Sequence, residues 1–254
     1  NKRMERQFLM KFYLLFLIIA SYQLLGQTVR SSESLWDQIR LNSNLQYDSD
    51  RLEIKKAADK YISNQYLINR LSKNGQRYLY YTVKEGLRKN LPVELSLIPF
   101  VESQFDPYAR SATGASGIWQ FIPSTAKENG LKKNWWYDGR RDIVASTEAA
   151  YGFLTKLYER YGDWLIAIAA YNAGPSRIRK EIEKNMKKGL PTDFWSLNLP
   201  RETRAYVPKI LAIVEVIRNP DKFNIKLPFL PNRPYFRIIE LPSQVDLMQV
   251  SNLS

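Results

Sequence analysis

The residue whose setting most favours chemistry is Glu102. It follows an apolar run that ends at Val101, and a loop-like stretch rich in Ser, Gly and Pro follows at 105–117. A carboxyl group among apolar neighbours has a raised pKa, because burial disfavours its charged form. A raised pKa suits a general acid that works near neutral pH. The pattern makes Glu102 a candidate acid–base catalyst; the alternative is a solvated glutamate at a helix end.

The composition narrows the chemistry further, because the chain contains no His and no Cys. Zinc sites are built from imidazole and thiolate ligands in nearly every arrangement, so we expect no metal and no cofactor. Nucleophilic schemes that pair Ser or Cys with His are excluded, since the base or the nucleophile is missing. Disulfide bonds are excluded as well. Carboxylate, Lys, Tyr and Ser chemistry remains.

Helical periodicity dominates the elements that must position such residues. The apolar spacing predicts helices over 52–71, 79–87, 143–161, 164–173 and 203–217. The segment 164–173 is apolar nearly all round, which indicates a buried central helix. Pro99 should kink or shorten the helix that leads to Glu102. Residues 27–50 are polar and aperiodic, which indicates a linker or an extended arm, and 235–241 has the pattern of a short strand.

The N-terminus has the pattern of an export signal. Basic residues precede an apolar run at 12–20, and Gly26 offers a small residue for cleavage, so we assign 1–26 as a signal peptide. The run is shorter than the roughly 20 apolar residues that span a bilayer comfortably. We expect an exported protein of the periplasm or cell envelope, anchored by this segment if it is not cleaved.

The net charge of +13 favours acidic partners such as nucleic acid, an anionic membrane or a carboxylate-bearing envelope polymer. No basic recognition motif accompanies the charge, so we expect no nucleic-acid partner. A solvated basic surface that aids solubility is the alternative. Membrane contact is expected only through the N-terminal segment, and the chain is expected to be a monomer.

Three blocks of sequence resemble the motifs of the soluble lytic transglycosylases, whose fold is like that of goose-type lysozyme. The first block comprises Glu102, Ser103, Pro107, Ser111, Gly114, Gly117 and Gln120. The second is Ala-Tyr-Asn-Ala-Gly-Pro at 170–175, and the third is Glu-Thr-Arg-Ala-Tyr-Val at 202–207. They occur in the family's order and cover roughly residues 85–218. Gly-Ile-Trp-Gln-Phe at 117–121 is most similar to the membrane-bound lytic murein transglycosylase D group.

This resemblance implies a mainly α fold with a lysozyme-like catalytic domain at 85–218. A linker and helical arm at 27–84 would precede it, and a strand-containing tail at 219–254 would follow. Two differences from the transglycosylase D group leave two questions open: how the chain is anchored and whether it has a wall-binding module. The chain lacks the lipoprotein cysteine common in the group, and the LysM repeats that often follow the catalytic domain are not present by Ser254.

The implied activity is peptidoglycan cleavage in the manner of glycoside hydrolase family 23, with Glu102 as catalytic acid and later base. The partner is the glycan strand, and the resemblance assigns substrate contacts to Ser111, Gln120, Tyr171, Asn172, Tyr206 and Glu202. A retaining hydrolase would need a second carboxylate about 5–5.5 Å from the acid. Asp106 is the nearest acidic residue in sequence, but a turn role suits it better. The sugar's own acetamide can replace that nucleophile.

Three alternatives stay open at this point. A true hydrolase on the same fold would release reducing ends, whereas a transglycosylase releases anhydro ends. A catalytically idle wall-binding module would be expected to lose Glu102, which is intact here. A basic nucleic-acid-binding protein would not need an export signal. Trp119, Trp135, Trp136 and Trp164 could stack on sugars, although packing is the commoner role for such residues.

Overall fold

The computed structural model describes residues 34–62 and 64–239, and the predicted signal peptide lies outside these ranges. The helices are α1 (Leu35–Asn42), α2 (Leu52–Ala57) with a π-helical continuation (Ala58–Ile62), α3 (Gln65–Gly75), α4 (Leu79–Arg88), a 3₁₀ helix (Val93–Leu97), α5 (Ile98–Glu102), α6 (Pro123–Glu128), α7 (Ile143–Tyr161), α8 (Trp164–Ala173), α9 (Pro175–Lys187), a 3₁₀ helix (Phe194–Ser196), α10 (Arg201–Arg218) and a 3₁₀ helix (Pro220–Phe223). The mainly α fold class is confirmed.

The predicted central helix is confirmed as α8, and its sequence explains both ends. The Asp163 side chain caps the first turn by accepting hydrogen bonds from the backbone N–H groups of Leu165 and Ile166. Every residue from Leu165 to Ala170 is buried. The helix packs against α7, α9 and α10, so its apolar surface is covered on several sides.

Helix α7 has the bounds that the periodicity predicts. Asp142 caps it by accepting a hydrogen bond from the Ala145 N–H at 2.9 Å. Gly162 ends it in the left-handed conformation, with φ of 69°. Helix α10 extends the prediction for 203–217 by a few residues and continues through Pro208.

The linker prediction for 27–50 is wrong over the residues that form α1. Ser34 and Asp37 make a reciprocal capping box at its start. Leu35, Trp36 and Ile39 then face the core and are buried. Eight residues give few helical repeats, so the periodicity alone is a weak signal there.

The single helix predicted over 52–71 is interrupted. Helix α2 widens into a π-helical turn, and α3 starts anew after Asn64, whose side chain accepts a hydrogen bond from the Tyr66 N–H at 2.9 Å. An Asn side chain that caps a new first turn competes with continuation of the previous helix.

No strand forms over residues 235–239, and the rest of the predicted strand, with the tail beyond it, lies outside the described residues. A strand needs a partner for its backbone groups, and the described bridges are isolated pairs such as Ser34 with Pro231. Side chains secure this segment instead: the Phe236 ring lies 5.5 Å from that of Tyr81. Within the described ranges, no helix is both long enough and apolar enough to cross a bilayer.

The element that carries Glu102 is short, as Pro99 predicts. A 3₁₀ helix, Val93–Leu97, runs directly into α5, and Pro99 occupies the first turn of α5, where its missing N–H leaves no helical bond unmade. All five residues of the 3₁₀ helix are buried. The base of α5 is therefore fixed in the core, and Glu102 stands at its free end.

Candidate active site

The Glu102 side chain lines a groove of about 340 Å³. The groove lies between the end of α5, the loop that precedes α6, the end of α8 and the start of α10. Six of the seven residues singled out from the sequence line this groove: Glu102, Ser111, Gln120, Tyr171, Asn172 and Glu202. The seventh, Tyr206, is buried and contacts Glu102 through its hydroxyl group. Residues up to 104 positions apart in sequence thus meet around one carboxyl group.

The Glu102 carboxyl group is half-buried and accepts a hydrogen bond from the Tyr206 hydroxyl. Burial raises the pKa of Glu102 from 4.5 to about 7, because the charged form loses solvation. The Tyr206 hydrogen bond acts in the opposite direction, since a donor stabilises the carboxylate. Near neutral pH this carboxyl group is therefore poised between its acid and base forms, as an acid–base catalyst requires.

Glu202 lies at the start of α10, exposed at the groove. Its negative charge raises the pKa of Glu102, because two like charges disfavour each other. In the described ranges Glu202 forms no salt bridge. Its visible effect on the site is electrostatic.

Tyr171, near the end of α8, donates its hydroxyl hydrogen to the backbone carbonyl oxygen of Trp119 at 2.7 Å. Burial raises the pKa of Tyr171, and the charge of Glu102 raises it further, so the two side chains are near neighbours. The family resemblance assigns Tyr171 to the acetamide or to the glutamate. In the structure the Tyr171 hydroxyl donates to the loop residue Trp119, and the tyrosine that donates to Glu102 is Tyr206.

The loop wall of the groove is a compact, internally bonded turn. The Gln120 side-chain amide donates to the Gly117 carbonyl at 2.8 Å and to the Ala109 carbonyl at 3.2 Å. The Ser111 hydroxyl accepts a hydrogen bond from the Ala115 N–H at 3.0 Å and pairs with the Thr113 hydroxyl at 2.8 Å. The polar groups of this wall are therefore held in place before any ligand arrives.

Asn172 connects two elements of the site. Its amide oxygen accepts a hydrogen bond from the Thr203 hydroxyl at 2.9 Å, which joins the end of α8 to the start of α10. Glu202 is the residue before Thr203, so this bond also fixes the position of the groove's second carboxylate. No described residue accepts a hydrogen bond from the amide nitrogen of Asn172, so its two donors face the groove without a protein partner there.

Arg140 supports the loop from behind, and no motif signals this role. Its guanidinium donates to the carbonyl oxygen of Gly114 at 2.7 Å and to that of Phe121 at 3.3 Å, while Asp138 binds its other nitrogens. Gly117 has φ of 83°, and a Cβ built there would lie 1.7 Å from the Arg140 carbonyl oxygen. Gly117 thus serves close packing within the protein; for Gly114, with φ of 81°, nothing lies within 4 Å of such a Cβ.

A second connection joins this loop to helix α5. The Ser103 hydroxyl donates to the Ile118 carbonyl oxygen at 2.9 Å. Because Ser103 directly follows Glu102, this bond fixes the position of the loop relative to the end of α5. The family motif contains this serine, but the sequence does not reveal its acceptor.

The other residues considered from the sequence lie elsewhere. The Asp106 carboxylate accepts a hydrogen bond from the Tyr108 N–H at 2.9 Å, and it does not line the Glu102 groove, so its turn role is confirmed. Trp119 is fully buried, and Trp164 stacks on Tyr158. Trp135 and Trp136 are exposed but are not part of the groove lining.

Across residues 34–62 and 64–239, no three acidic side chains converge in a cluster that could hold a metal ion. The groove offers instead two carboxylates, two side-chain amides and several hydroxyl groups around a partly aromatic floor that includes Phe121 and Phe153. Such a lining suits a polar, ring-shaped ligand that both donates and accepts hydrogen bonds.

Comparison with known proteins identifies relatives among the lytic transglycosylases. The transglycosylase SLT domain model matches residues 80–193, which include five of the seven site residues. Membrane-bound lytic murein transglycosylase D of Escherichia coli (strain K12) is 37% identical over 90% of this chain; the chain spans about half of that relative, 51% of its length. A relative from Alteromonas sp. (strain M-1), provisionally named a tributyltin chloride resistance protein, is 36% identical over 69% of the chain and 84% of its own length.

Among solved structures, the lytic transglycosylase Slt of Pseudomonas aeruginosa matches 57% of this chain and 24% of its own, with 27% identity and a TM-score of 0.42. The family assignment depends on the sequence relatives rather than on this superposition. Since the likeness to the Escherichia coli relative extends over nine-tenths of the chain, and the domain model includes the elements on both sides of Glu102, the chain belongs to the SLT family of lytic transglycosylases.

Proposed function

We propose that this chain cleaves the β-1,4 bond between N-acetylmuramic acid and N-acetylglucosamine in peptidoglycan and leaves a 1,6-anhydro-N-acetylmuramic acid end. The observation that carries the proposal is a single glutamate, Glu102, with a pKa raised to about 7 at the wall of a polar groove. The name of the Escherichia coli relative, a lytic murein transglycosylase, supports the same substrate class.

In the first step Glu102 is the general acid. Its protonated carboxyl group donates the proton to the glycosidic oxygen, and the bond from that oxygen to the anomeric carbon breaks. The acetamide oxygen of N-acetylmuramic acid attacks the anomeric carbon in place of a protein nucleophile. The departing N-acetylglucosamine keeps the proton, and Glu102 is left as a carboxylate beside the Tyr206 hydroxyl.

In the second step the same residue is the general base. The Glu102 carboxylate takes the proton from the C6 hydroxyl of N-acetylmuramic acid, whose oxygen then bonds to the anomeric carbon as the acetamide leaves. Glu102 regains its proton, so the cycle closes without water. The Tyr206 hydrogen bond stabilises the carboxylate between the two steps.

Hydrolysis is the second candidate, and one residue gives it specific support. Besides Glu102, the only carboxylate that lines the groove within the described residues is Glu202. If Glu202 activated water or acted as nucleophile, the products would carry reducing ends. Its place as an exposed residue at the start of α10 leaves that role open to direct test.

We place the protein in the cell envelope, as an exported enzyme of the periplasmic side. The signal-like pattern of residues 1–26 and the charge of +13 support this location, as does the name of the membrane-bound relative. Peptidoglycan carries many carboxylates, so an excess of basic residues favours association with it. Residues 85–218 are proposed as the catalytic domain.

The test compares three single variants, Glu102→Gln, Glu202→Gln and Glu159→Gln, in the digestion of purified peptidoglycan. Gln at 102 is nearly isosteric and still accepts the Tyr206 hydrogen bond, but it cannot donate or take up the proton. We expect its rate to fall by about 10²–10⁴-fold, the usual contribution of general acid–base catalysis. Glu159, on the surface of α7, is the control and should match the wild type.

Circular dichroism of each variant checks that the helices are retained. Activity of Glu102→Gln within a few-fold of wild type would exclude Glu102 as the catalyst. An equal, large loss for Glu202→Gln would favour the hydrolytic scheme with two carboxylates. A modest effect at 202 agrees with the single-glutamate proposal.

A further inference from the structure

Two tryptophans protrude from the loop between α6 and α7. Trp135 is 89% exposed and Trp136 is 90% exposed, the highest values among the large hydrophobic residues described. The other four tryptophans are buried or half-buried. A tryptophan side chain carries about 150–250 Å² of surface that is costly to leave in water. An adjacent pair left fully in solvent therefore indicates a surface that is covered in use.

The loop is held in a fixed shape by its own backbone and by Asn134. The Asn134 side chain accepts hydrogen bonds from the N–H groups of Trp136 at 2.8 Å and Tyr137 at 2.7 Å. An isolated bridge joins Lys133 to Asp138, and the Gly139 N–H donates to the Lys132 carbonyl at 2.9 Å. The indole rings are thus presented outward on a preformed turn, so covering them costs little ordering of the backbone.

The surroundings of the two rings are basic. Residues of this loop line two hollows of the surface. The basic residues that line one or both are Lys127, Lys132, Lys133, Arg110 and Arg141. Within the part of the chain that the structure describes, none of these five forms a salt bridge. Arg141 donates a hydrogen bond to the Ser116 hydroxyl at 3.2 Å, but this neutral partner does not offset its charge. The positive charge is therefore available to an external anion.

The acidic residues of the same hollows are engaged within the protein. Asp138 is bound by Arg140, and Asp142 caps α7 and accepts a hydrogen bond from the Tyr137 hydroxyl. The surface thus has no comparable excess of free negative charge to oppose the lysines and arginines. The combination of outward indoles and unpaired cations favours a partner that is anionic at its surface and apolar beneath it.

A glycan strand fits this surface less well. Sugar-binding aromatic residues generally form part of a concave site with polar groups that fix the hydroxyls. Trp135 and Trp136 lie at the edge of a hollow of about 610 Å³, but at 89% and 90% exposure the hollow encloses little of either ring. Both also stand outside the groove that contains Glu102. Indole rings that project from a surface and are ringed by Lys and Arg are typical of membrane interfaces, where the ring enters the headgroup layer and the cations meet lipid phosphates.

We infer that the Trp135–Trp136 loop docks on an anionic phospholipid surface, with both indoles in the interfacial layer and the flanking lysines and arginines on the headgroups. This contact is separate from the N-terminal segment, through which alone the sequence predicts membrane contact. It does not depend on the proposed catalytic function. Combined with the proposed function, docking of this kind would direct cleavage to glycan that lies close to the membrane.

The test uses the full chain and tryptophan fluorescence with vesicles of phosphatidylglycerol and phosphatidylcholine whose acyl chains carry bromine, a contact quencher. The quencher reports which indoles reach the lipid, so the tryptophan variants separate contact by the loop from binding through the N-terminal segment. We expect quenching and a blue shift of emission for the wild type. The variant Trp135→Phe/Trp136→Phe should lose most of the quenching, and Trp164→Phe, the matched control, should retain it.

Because both side chains are almost fully exposed, phenylalanine at these positions leaves the packing of the fold intact. We further expect Lys132→Gln/Lys133→Gln, or vesicles of phosphatidylcholine alone, to reduce the quenching of the wild-type indoles. Absence of quenching in the wild type, or quenching that persists in the double tryptophan variant, would overturn the inference. So would an emission change caused by N-acetylglucosamine oligomers but not by vesicles, since it would make the loop a glycan site.

Discussion

At the scale of single residues, two neighbours act on the Glu102 carboxyl group in opposite directions. The Tyr206 hydroxyl stabilises its charged form by a hydrogen bond, whereas the negative charge of Glu202 disfavours that form. Both effects are superimposed on burial, which raises the pKa most strongly. The protonation state of the proposed acid is therefore set by the groove as a whole.

This balance predicts opposite shifts in the pH dependence of activity. For the wild type, kcat/KM should fall as pH rises through about 7, because the acid form of free Glu102 is lost there. Tyr206→Phe should move this midpoint to higher pH, and Glu202→Gln should move it to lower pH. Rates measured from pH 5 to 9 on soluble glycan strands provide the check. Shifts in the same direction, or none, would contradict the account of the site.

The raised pKa also makes a prediction about stability. Folded Glu102 holds its proton up to about pH 7, whereas the unfolded chain releases it near 4.5, so this residue's stabilising contribution is full below about 4.5 and is lost as pH rises through about 7. The difference amounts to about 3 kcal/mol at most, at 1.36 kcal/mol per pKa unit. Glu102→Gln should therefore melt several degrees above the wild type at pH 8.5.

At pH 4 the same variant and the wild type should melt together, since both carry a neutral side chain at position 102. Thermal melting followed by circular dichroism at the two pH values measures the effect. Equal melting temperatures at pH 8.5 would mean that the Glu102 carboxyl group ionises in the folded protein as easily as it does in water.

At the scale of elements, the loop from Ala109 to Phe121 positions the groove wall, and Arg140 supports it. Two glycines of the loop have similar φ angles but different surroundings. Alanine at Gly114 meets open space, so it should cost only the strain of the left-handed conformation, about 1–2 kcal/mol. Alanine at Gly117 meets the Arg140 carbonyl oxygen and should add about 1–3 kcal/mol of overpacking.

We therefore expect Gly117→Ala to lose both stability and activity, while Gly114→Ala stays folded and retains most of its activity. Urea unfolding and peptidoglycan digestion of the two variants give the comparison. Equal unfolding midpoints for the pair would show that the close contact with Arg140 does not constrain the loop.

The elements also show which structural signals a sequence carries. The bounds of α7 and α8 are predictable because Asp142, Gly162 and Asp163 are strong local caps between long apolar patterns. The break between α2 and α3 and the short helix α1 are harder to predict, since each depends on a single capping side chain rather than on a repeated spacing. The strand predicted after Pro234 lacks a partner over its described residues, and partners are a tertiary property.

At the scale of the whole molecule, the motif blocks predict which residues gather at the groove but not how they are bonded. Tyr206 and Glu102 are 104 positions apart, and nothing local distinguishes the tyrosine that reaches the glutamate from Tyr171, which binds a backbone carbonyl. The supporting role of Arg140 also cannot be predicted from the sequence. Its acceptors in the loop are backbone carbonyls, which leave no side-chain pattern.

The N-terminal arm is part of the same body as the site. The Leu45 N–H donates to the buried carboxylate of Glu94 at 3.0 Å, and the Tyr47 hydroxyl donates to Glu215 at 2.7 Å. Glu94 belongs to the 3₁₀ helix before α5, and Glu215 belongs to α10. The arm thus contacts α10, which supplies Tyr206, and the 3₁₀ helix that runs directly into α5.

The most direct test of the single-glutamate mechanism is the mass of the released muropeptide ends. Attack by the sugar's own C6 hydroxyl has the advantage of an intramolecular reaction, with effective molarities of roughly 10⁵–10⁸ M in well-oriented cases. Peptidoglycan digested by the chain should therefore yield fragments that end in 1,6-anhydro-N-acetylmuramic acid and keep their mass after borohydride treatment. Fragments that are mostly one water heavier, with ends that borohydride reduces, would contradict the account and identify a hydrolase.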